Sequence, residues 1–178
     1  MKKTNVLFAS AVAFILLVAL VIVSCEEGNA VQEKVFFDPT TESTFSLDNQ
    51  VTLNQLAITL AKEEKPVTIS RNAAVVDLTD IKGNYKAISV EYTIGESITN
   101  MIVPIFEASS DAIDLKAAKD VKGKTYYLVD PQGCEMKCTQ TGGCNKCTQE
   151  ITERCKSQTC SCDSPSGGCE GSITFPAN

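Results

Sequence analysis

The chain contains no histidine and no tryptophan among its 178 residues. The lack of histidine excludes Ser-His-Asp and Cys-His nucleophile activation, histidine general bases and histidine metal ligands. The lack of tryptophan weakens the case for a sugar-stacking surface. Bases are also few, since 16 Lys and Arg face 22 Asp and Glu and the net charge is −6. An acidic chain repels phosphate backbones, so the composition argues against a nucleic-acid partner.

The first 24 residues have the pattern of an export signal. Lys2 and Lys3 precede eighteen uncharged residues from 6 to 23, in which Ser10 is the polar interruption. This order is typical of a positive n-region followed by an apolar h-region. The run is also close to the shortest helix that crosses about 30 Å of hydrocarbon. Its length therefore leaves a cleaved signal and a retained membrane anchor both open.

The segment Ile22-Val23-Ser24-Cys25 resembles the lipobox of bacterial lipoproteins, in which a branched apolar residue stands three positions before a Cys and a small residue just before it. The resemblance implies cleavage before Cys25, diacylglycerol on its thiol and a further acyl chain such as palmitate. These chains would hold the protein on a lipid bilayer, outside the cytoplasm, at the outer membrane or cell surface. Residues 1–24 would be the signal peptide and residues 25–34 a tether.

Residues 35–130 are predicted to form one α+β domain. Apolar residues at helical spacing predict an amphipathic helix within 48–64, with Asp48 as its N-cap. A second helix is predicted from Ser110 to Lys122 because its acids precede its lysines, as the helix dipole favours. Strands are predicted at 74–78, 86–94, 101–106 and 125–129. The expected fold is a small antiparallel meander sheet with helices on one face.

Two details of this domain bear on its packing and its chemistry. Pro104 has no N–H to donate, so the strand at 101–106 is expected to be an edge strand or to carry a bulge there. Acidic residues occur singly or as turn and cap residues, and none forms a persuasive catalytic pair. We therefore single out no catalytic residue and expect a protein that is not an enzyme. The acids in question are Asp77, Asp80, Asp111 and Asp114.

Residues 131–178 are predicted to form a cysteine-rich module. Eight of the nine cysteines lie within residues 134–169, and lipidation of Cys25 would leave this even number for disulfides. Apolar side chains are few here, so the segment needs covalent or metal staples to fold. Disulfides suit an exported protein, and each would contribute roughly 2–4 kcal/mol. The candidates are Cys134, Cys138, Cys144, Cys147, Cys155, Cys160, Cys162 and Cys169.

Two other interpretations of these cysteines remain open. The pairs Cys144/Cys147 and Cys160/Cys162 could chelate zinc or copper(I) as thiolates. Alternatively, Cys144 and Cys147 could exchange disulfides, with Asn145 capping a helix that lowers the thiol pKa.

The sequence as a whole predicts a membrane-anchored lipoprotein that acts as a binding or structural component of the cell envelope. Its expected partners are the bilayer, through acylated Cys25, and an envelope or surface protein, without nucleic acid. The disulfide interpretation requires no cofactor. The alternative functions are extracytoplasmic metal binding, with zinc or copper, and thiol-disulfide oxidoreduction.

Overall fold

The computed structural model describes residues 32–108, 123–129 and 133–175. The helix α1 spans Gln50–Ala61. The ten strands are β1 (Glu33–Asp38), β2 (Ser43–Ser46), β3 (Thr68–Asp80), β4 (Gly83–Ile94), β5 (Ser97–Glu107), β6 (Lys124–Val129), β7 (Glu135–Thr141), β8 (Cys147–Glu153), β9 (Ser157–Cys162) and β10 (Gly168–Thr174). No helix in the described ranges has the length and apolar character that a membrane crossing requires.

The predicted α+β class is wrong, because strands dominate the described residues and α1 is their single helix. Eight strands form one sheet, and β8 and β9 form a separate two-stranded sheet. The large sheet is mixed rather than wholly antiparallel, since β1 runs parallel to β6. The helix predicted at 110–122 lies outside the described residues.

The predicted meander is present as β3, β4 and β5, which pair antiparallel in sequence order. Alternate residues of β4 place Ile88, Val90 and Tyr92 on one face, where they are buried. These side chains share a core with Leu53 and Leu56 of α1. The buried side chains of β4, which occupy every second position, thus pack against the helix. The buried residues of the helix recur at helical spacing.

The helix begins one residue later than predicted. Asn49, not Asp48, is its N-cap, and the Asn49 side chain accepts hydrogen bonds from the backbone nitrogens of Val51 and Thr52. The Asp48 carboxylate instead accepts one from the backbone nitrogen of Lys34. Asp48 therefore joins the start of the helix to β1.

The prediction that Pro104 makes its strand an edge or a bulge is also wrong. Pro104 pairs in register with Ala87 of β4, and β5 has neighbours on both sides. On the side of β5 away from β4, pairing with β7 ends at Ile102 and pairing with β6 begins at Ile105. Pro104 thus lies where that side of the strand changes partner.

The large sheet continues through the cysteine-rich segment. Strand β7 pairs with β5 across Thr99 to Ile102, and β10 pairs with β7 along its whole length. The sheet therefore crosses the expected boundary between residues 130 and 131. The remaining strands of the cysteine-rich segment (the tail, residues 133–175) are β8 and β9. They form a hairpin joined by the turn at residues 154–156.

Candidate functional site

The eight tail cysteines form four disulfides, which confirms the prediction of a disulfide-rich segment. The pairs are Cys134–Cys155, Cys138–Cys160, Cys144–Cys162 and Cys147–Cys169. Each pair links one of the first four cysteines to one of the last four, in the same order along the chain. Disulfides persist in oxidising compartments, so the set is consistent with an extracytoplasmic location.

The disulfides divide into two groups by packing. Cys134 and Cys155 are buried with Met136 in a small cluster that includes Ile102 and Ile151. The other six cysteines pack together in a second cluster around Cys138, Cys144 and Cys147. Cys134–Cys155 joins the turn of the hairpin to the residue before β7, and the second group gathers six sulfur atoms in one place.

Cys144 lies close to both sulfurs of a neighbouring disulfide in this sulfur cluster. Besides its partner Cys162, its Sγ is 3.5 Å from Sγ of Cys169 and 3.9 Å from Sγ of Cys147. Its Sγ is also 3.2 Å from the backbone oxygen of Lys146 and 4.0 Å from Oδ1 of Asp163. Two neighbouring disulfides are therefore close to contact, beside the carboxylate of Asp163.

Gly167 lies directly against the backbone of Cys144. A Cβ added to Gly167 would lie 2.4 Å from both N and Cα of Cys144. The repeated triplets Gly142-Gly143-Cys144 and Gly167-Gly168-Cys169 are thereby adjacent, since Gly168 pairs with Thr141. Glycine is needed here because its lack of a side chain permits the close approach.

The metal-ligand set predicted from the sequence is distributed differently in space. The sulfurs close enough to share an ion are those of Cys144, Cys162 and Cys169, and those of Cys138, Cys147 and Cys169. Each of these cysteines is in a disulfide, which is not the thiolate form that binds zinc or copper(I). The helix predicted at Asn145 is wrong, because Cys147 begins strand β8.

Asp80, which the sequence suggested only as a turn residue, holds the β8–β9 hairpin to the large sheet. The side chain of Asp80 is fully buried and accepts hydrogen bonds from the backbone nitrogens of Arg154 and Lys82, both at 2.8 Å. Burial acts to raise the pKa of Asp80, but these hydrogen bonds and the Arg154 charge hold it below its ordinary value. Asp77, by contrast, is exposed and pairs with Lys86 at 2.6 Å.

Arg154 also borders a cavity of about 290 Å³ between the body and the hairpin. Its guanidinium lies 4.4 Å from the centre of the Tyr85 ring. The buried Tyr85 hydroxyl has no hydrogen-bond partner among the described residues. Lys86, Phe106 and Tyr127 also line the cavity.

A second polar group connects β7 to the end of the helix. Lys137 Nζ donates to the backbone oxygen of Ala61 at 2.8 Å and to the Glu63 carboxylate at 2.9 Å. The same carboxylate accepts from the Tyr92 hydroxyl at 2.8 Å, and Glu135 lies 3.4 Å from Lys137. Burial acts to raise the pKa of Glu63, yet the hydrogen bonds from Lys137 and Tyr92 lower it. Sequence reasoning missed this group because its members are far apart in the chain.

Cys25, Asp111 and Asp114 lie outside the described ranges. The acids of the predicted turns that are described have structural partners, Arg154 for Asp80 and Lys86 for Asp77. No family model matches this chain, and no curated protein or solved structure resembles it at a significant level.

Proposed function

We propose that this protein is a lipid-anchored, extracytoplasmic component of the cell envelope with a binding or structural role. The observation that carries the proposal is the set of four interleaved disulfides within residues 134–169. Such a set is formed and retained where the surroundings are oxidising. A protein exported to that compartment requires a signal, and the lipobox-like segment ending at Cys25 supplies one with an anchor.

A binding or structural role accords with the chemistry of the described residues. The buried charged groups form ion pairs and hydrogen bonds within the fold, as Asp80 does with Arg154 and Glu63 with Lys137. Groups held in this way stabilise the fold and are not free to act on a substrate. The partner we propose besides the bilayer is another envelope or surface protein.

Lipidation is tested with Cys25→Ser in the full chain. The unaltered chain should fractionate with membranes, lack residues 1–24 and carry acyl mass on Cys25. Cys25→Ser should remove the acyl mass and leave the signal uncut. Ser24→Ala is the matched control, because it keeps a small residue before Cys25 and should still be processed. If the membrane protein retains Met1 and Cys25 carries no acyl chain, a retained signal anchor replaces this proposal.

A thiol count separates the proposal from the metal-binding alternative. The exported protein should show no reactive thiol from 134 to 169 under denaturing conditions, and no stoichiometric zinc or copper. Thiols at Cys144, Cys147, Cys160 and Cys162 that react only after a chelator is added would instead support a metal-binding protein.

A further inference from the structure

The sulfur cluster offers two ways of pairing the same four cysteines. In the structure Cys144 is bonded to Cys162, and Cys147 to Cys169. The Sγ atoms of Cys144 and Cys169 are 3.5 Å apart although they belong to different disulfides. Cys147 and Cys162 are directly opposite each other in the β8–β9 ladder. The alternative set, Cys144–Cys169 with Cys147–Cys162, therefore joins residues that are already neighbours.

Each alternative bond is supported by a different observation, the ladder position of Cys147 and Cys162 and the sulfur separation of Cys144 and Cys169. Directly opposed residues in an antiparallel ladder have Cα atoms about 4.5–5.5 Å apart, which falls within the range that a disulfide spans. Reacting atoms placed about 3–3.5 Å apart are close to the separation at which bond formation begins. The second pairing is thus reached by moving sulfur atoms, with little change in the backbone.

We propose that Cys144, Cys147, Cys162 and Cys169 form a thiol-exchange site at which an external thiol interconverts these two disulfide pairings. The substrate class is a small thiol or an exposed cysteine of another protein. Entry is at Cys162 and Cys169, which are half-buried residues, whereas their partners Cys144 and Cys147 are buried.

The exchange consists of three displacements. The external thiolate first attacks Sγ of Cys162, so a mixed disulfide forms and the electron pair of the broken bond leaves on Cys144. The Cys144 thiolate then attacks Sγ of Cys169, forming Cys144–Cys169 and releasing Cys147 as a thiolate. Finally Cys147 attacks the mixed disulfide at Cys162, which forms Cys147–Cys162 and returns the external thiolate. The number of disulfides is unchanged, and the external thiol acts as a catalyst.

The disulfide Cys134–Cys155 lies outside the sulfur cluster and provides an internal control. Cys134 and Cys155 pack with Met136 and aliphatic side chains in the other cluster. A thiol freed at Cys134 has carbon neighbours there, so it should remain where it is formed.

The direct test treats the full native chain with reduced glutathione, followed by acid quenching, alkylation and peptide mapping. Cleavage after Lys146 separates Cys144 from Cys147, and cleavage before Asp163 separates Cys162 from Cys169. The peptide that begins at Cys147 should shift from linkage with the Cys169 peptide to linkage with the Cys162 peptide. If Cys147 remains linked to Cys169 alone, or if all four disulfides are reduced together without the new linkage, the proposal is wrong.

Single substitutions test the central displacement without any added thiol. In Cys162→Ser the free thiol begins at Cys144 and should move to Cys147 as Cys144–Cys169 forms. In Cys147→Ser it begins at Cys169 and should move to Cys162 through the same new bond. The position of the free thiol is mapped in each variant with an alkylating label. Cys155→Ser is the matched control, in which the label should stay on Cys134. Labels confined to Cys144 and Cys169 in folded variants would overturn the proposal.

This test does not depend on the anchor. The label on Cys25 is mapped on its own peptide, so an unlipidated Cys25 would contradict the proposed function and leave the exchange result intact. Conversely, an acylated Cys25 with fixed disulfides would remove the exchange site and leave the envelope role in place.

Discussion

The carboxylate of Asp80 accepts a hydrogen bond from the backbone nitrogen of Arg154 at 2.8 Å, across 74 positions of sequence. It joins the turn between β3 and β4 to the turn between β8 and β9. Lys82 supports the same junction, because its Nζ lies 3.2 Å from the Glu153 carboxylate. The hairpin is therefore tied to the body by polar contacts as well as by sulfur.

Asp80→Ala should destabilise this junction. The change leaves the backbone nitrogens of Lys82 and Arg154 without their acceptor, and for the partly buried donor of Arg154 the cost is roughly 1–3 kcal/mol. Urea unfolding gives the loss of free energy, and amide exchange at residues 153–156 shows whether it is local. Asp77→Ala is the control, since that carboxylate is exposed in the same β-hairpin. Equal effects of the two changes would contradict a special role for Asp80.

Lys137→Met should be destabilising because it removes the ion pair of Glu63 and one of the two ion pairs of Glu135, which keeps Lys62 at 3.1 Å. Lys137 is about 15% exposed, so the expected loss of about 2 kcal/mol lies between the values for surface and buried ion pairs. Lys86→Met, which removes a more exposed pair, should cost much less. A smaller loss for Lys137→Met than for Lys86→Met would rule out this arrangement as a stabilising one.

The free energy of unfolding should also decrease as the pH is lowered, because Glu63 becomes protonated. The folded-state pKa of Glu63 lies below its ordinary value of 4.5, so its contribution is complete above that pH and is lost as the pH falls through the lowered pKa. Unfolding free energies measured across this range give the slope. In Lys137→Met the slope due to Glu63 should be smaller, because a hydrogen bond that lowers its pKa is absent.

Gly167→Ala should separate the turn at 163–166 from Cys144, because the new Cβ would overlap the Cys144 backbone. Overpacking of this kind costs about 1–3 kcal/mol. Ser166→Ala in the same exposed turn is the control and should be close to neutral. Thermal unfolding of both variants measures the difference, and a neutral Gly167→Ala would show that this close approach is wrong.

Asn49→Ala should cost about 1 kcal/mol, the usual loss for an N-cap, and should speed amide exchange at Val51 and Thr52. Asp48→Ala should leave those two amides protected and affect Lys34 instead. Faster exchange at Val51 in Asp48→Ala would restore the assignment made from sequence.

Strands in which apolar and polar residues alternate could be predicted from the sequence. Strands in which the less exposed positions are not aliphatic or aromatic could not. Ile88, Val90 and Tyr92 alternate clearly, and strand β4 was found. In β9 the alternation is equally regular, but its less exposed positions are Gln158, Cys160 and Cys162. A pattern of apolar residues cannot detect such a strand, because disulfides and amides take the place of aliphatic packing.

Long-range pairing was beyond sequence reasoning for a different reason. The spacing of eight cysteines permits many pairings and selects none of them. The contact of Lys137 with Ala61 joins a strand and a helix end 76 positions apart, and no local signal predicts it. At Pro104 the local rule that proline avoids inner strands fails. The strand changes neighbour at that residue, so no hydrogen bond from its nitrogen is needed.

The order of the four disulfides has a topological consequence for the covalent molecule. Every cysteine from 134 to 147 is bonded to one from 155 to 169. The four disulfide-closed rings therefore all contain the segment from Cys147 to Cys155. A protease that cuts once between Cys147 and Cys155, for example after Arg154, opens all four rings yet releases no fragment. The two pieces remain joined by four bridges, and the nick becomes visible on a gel only after reduction.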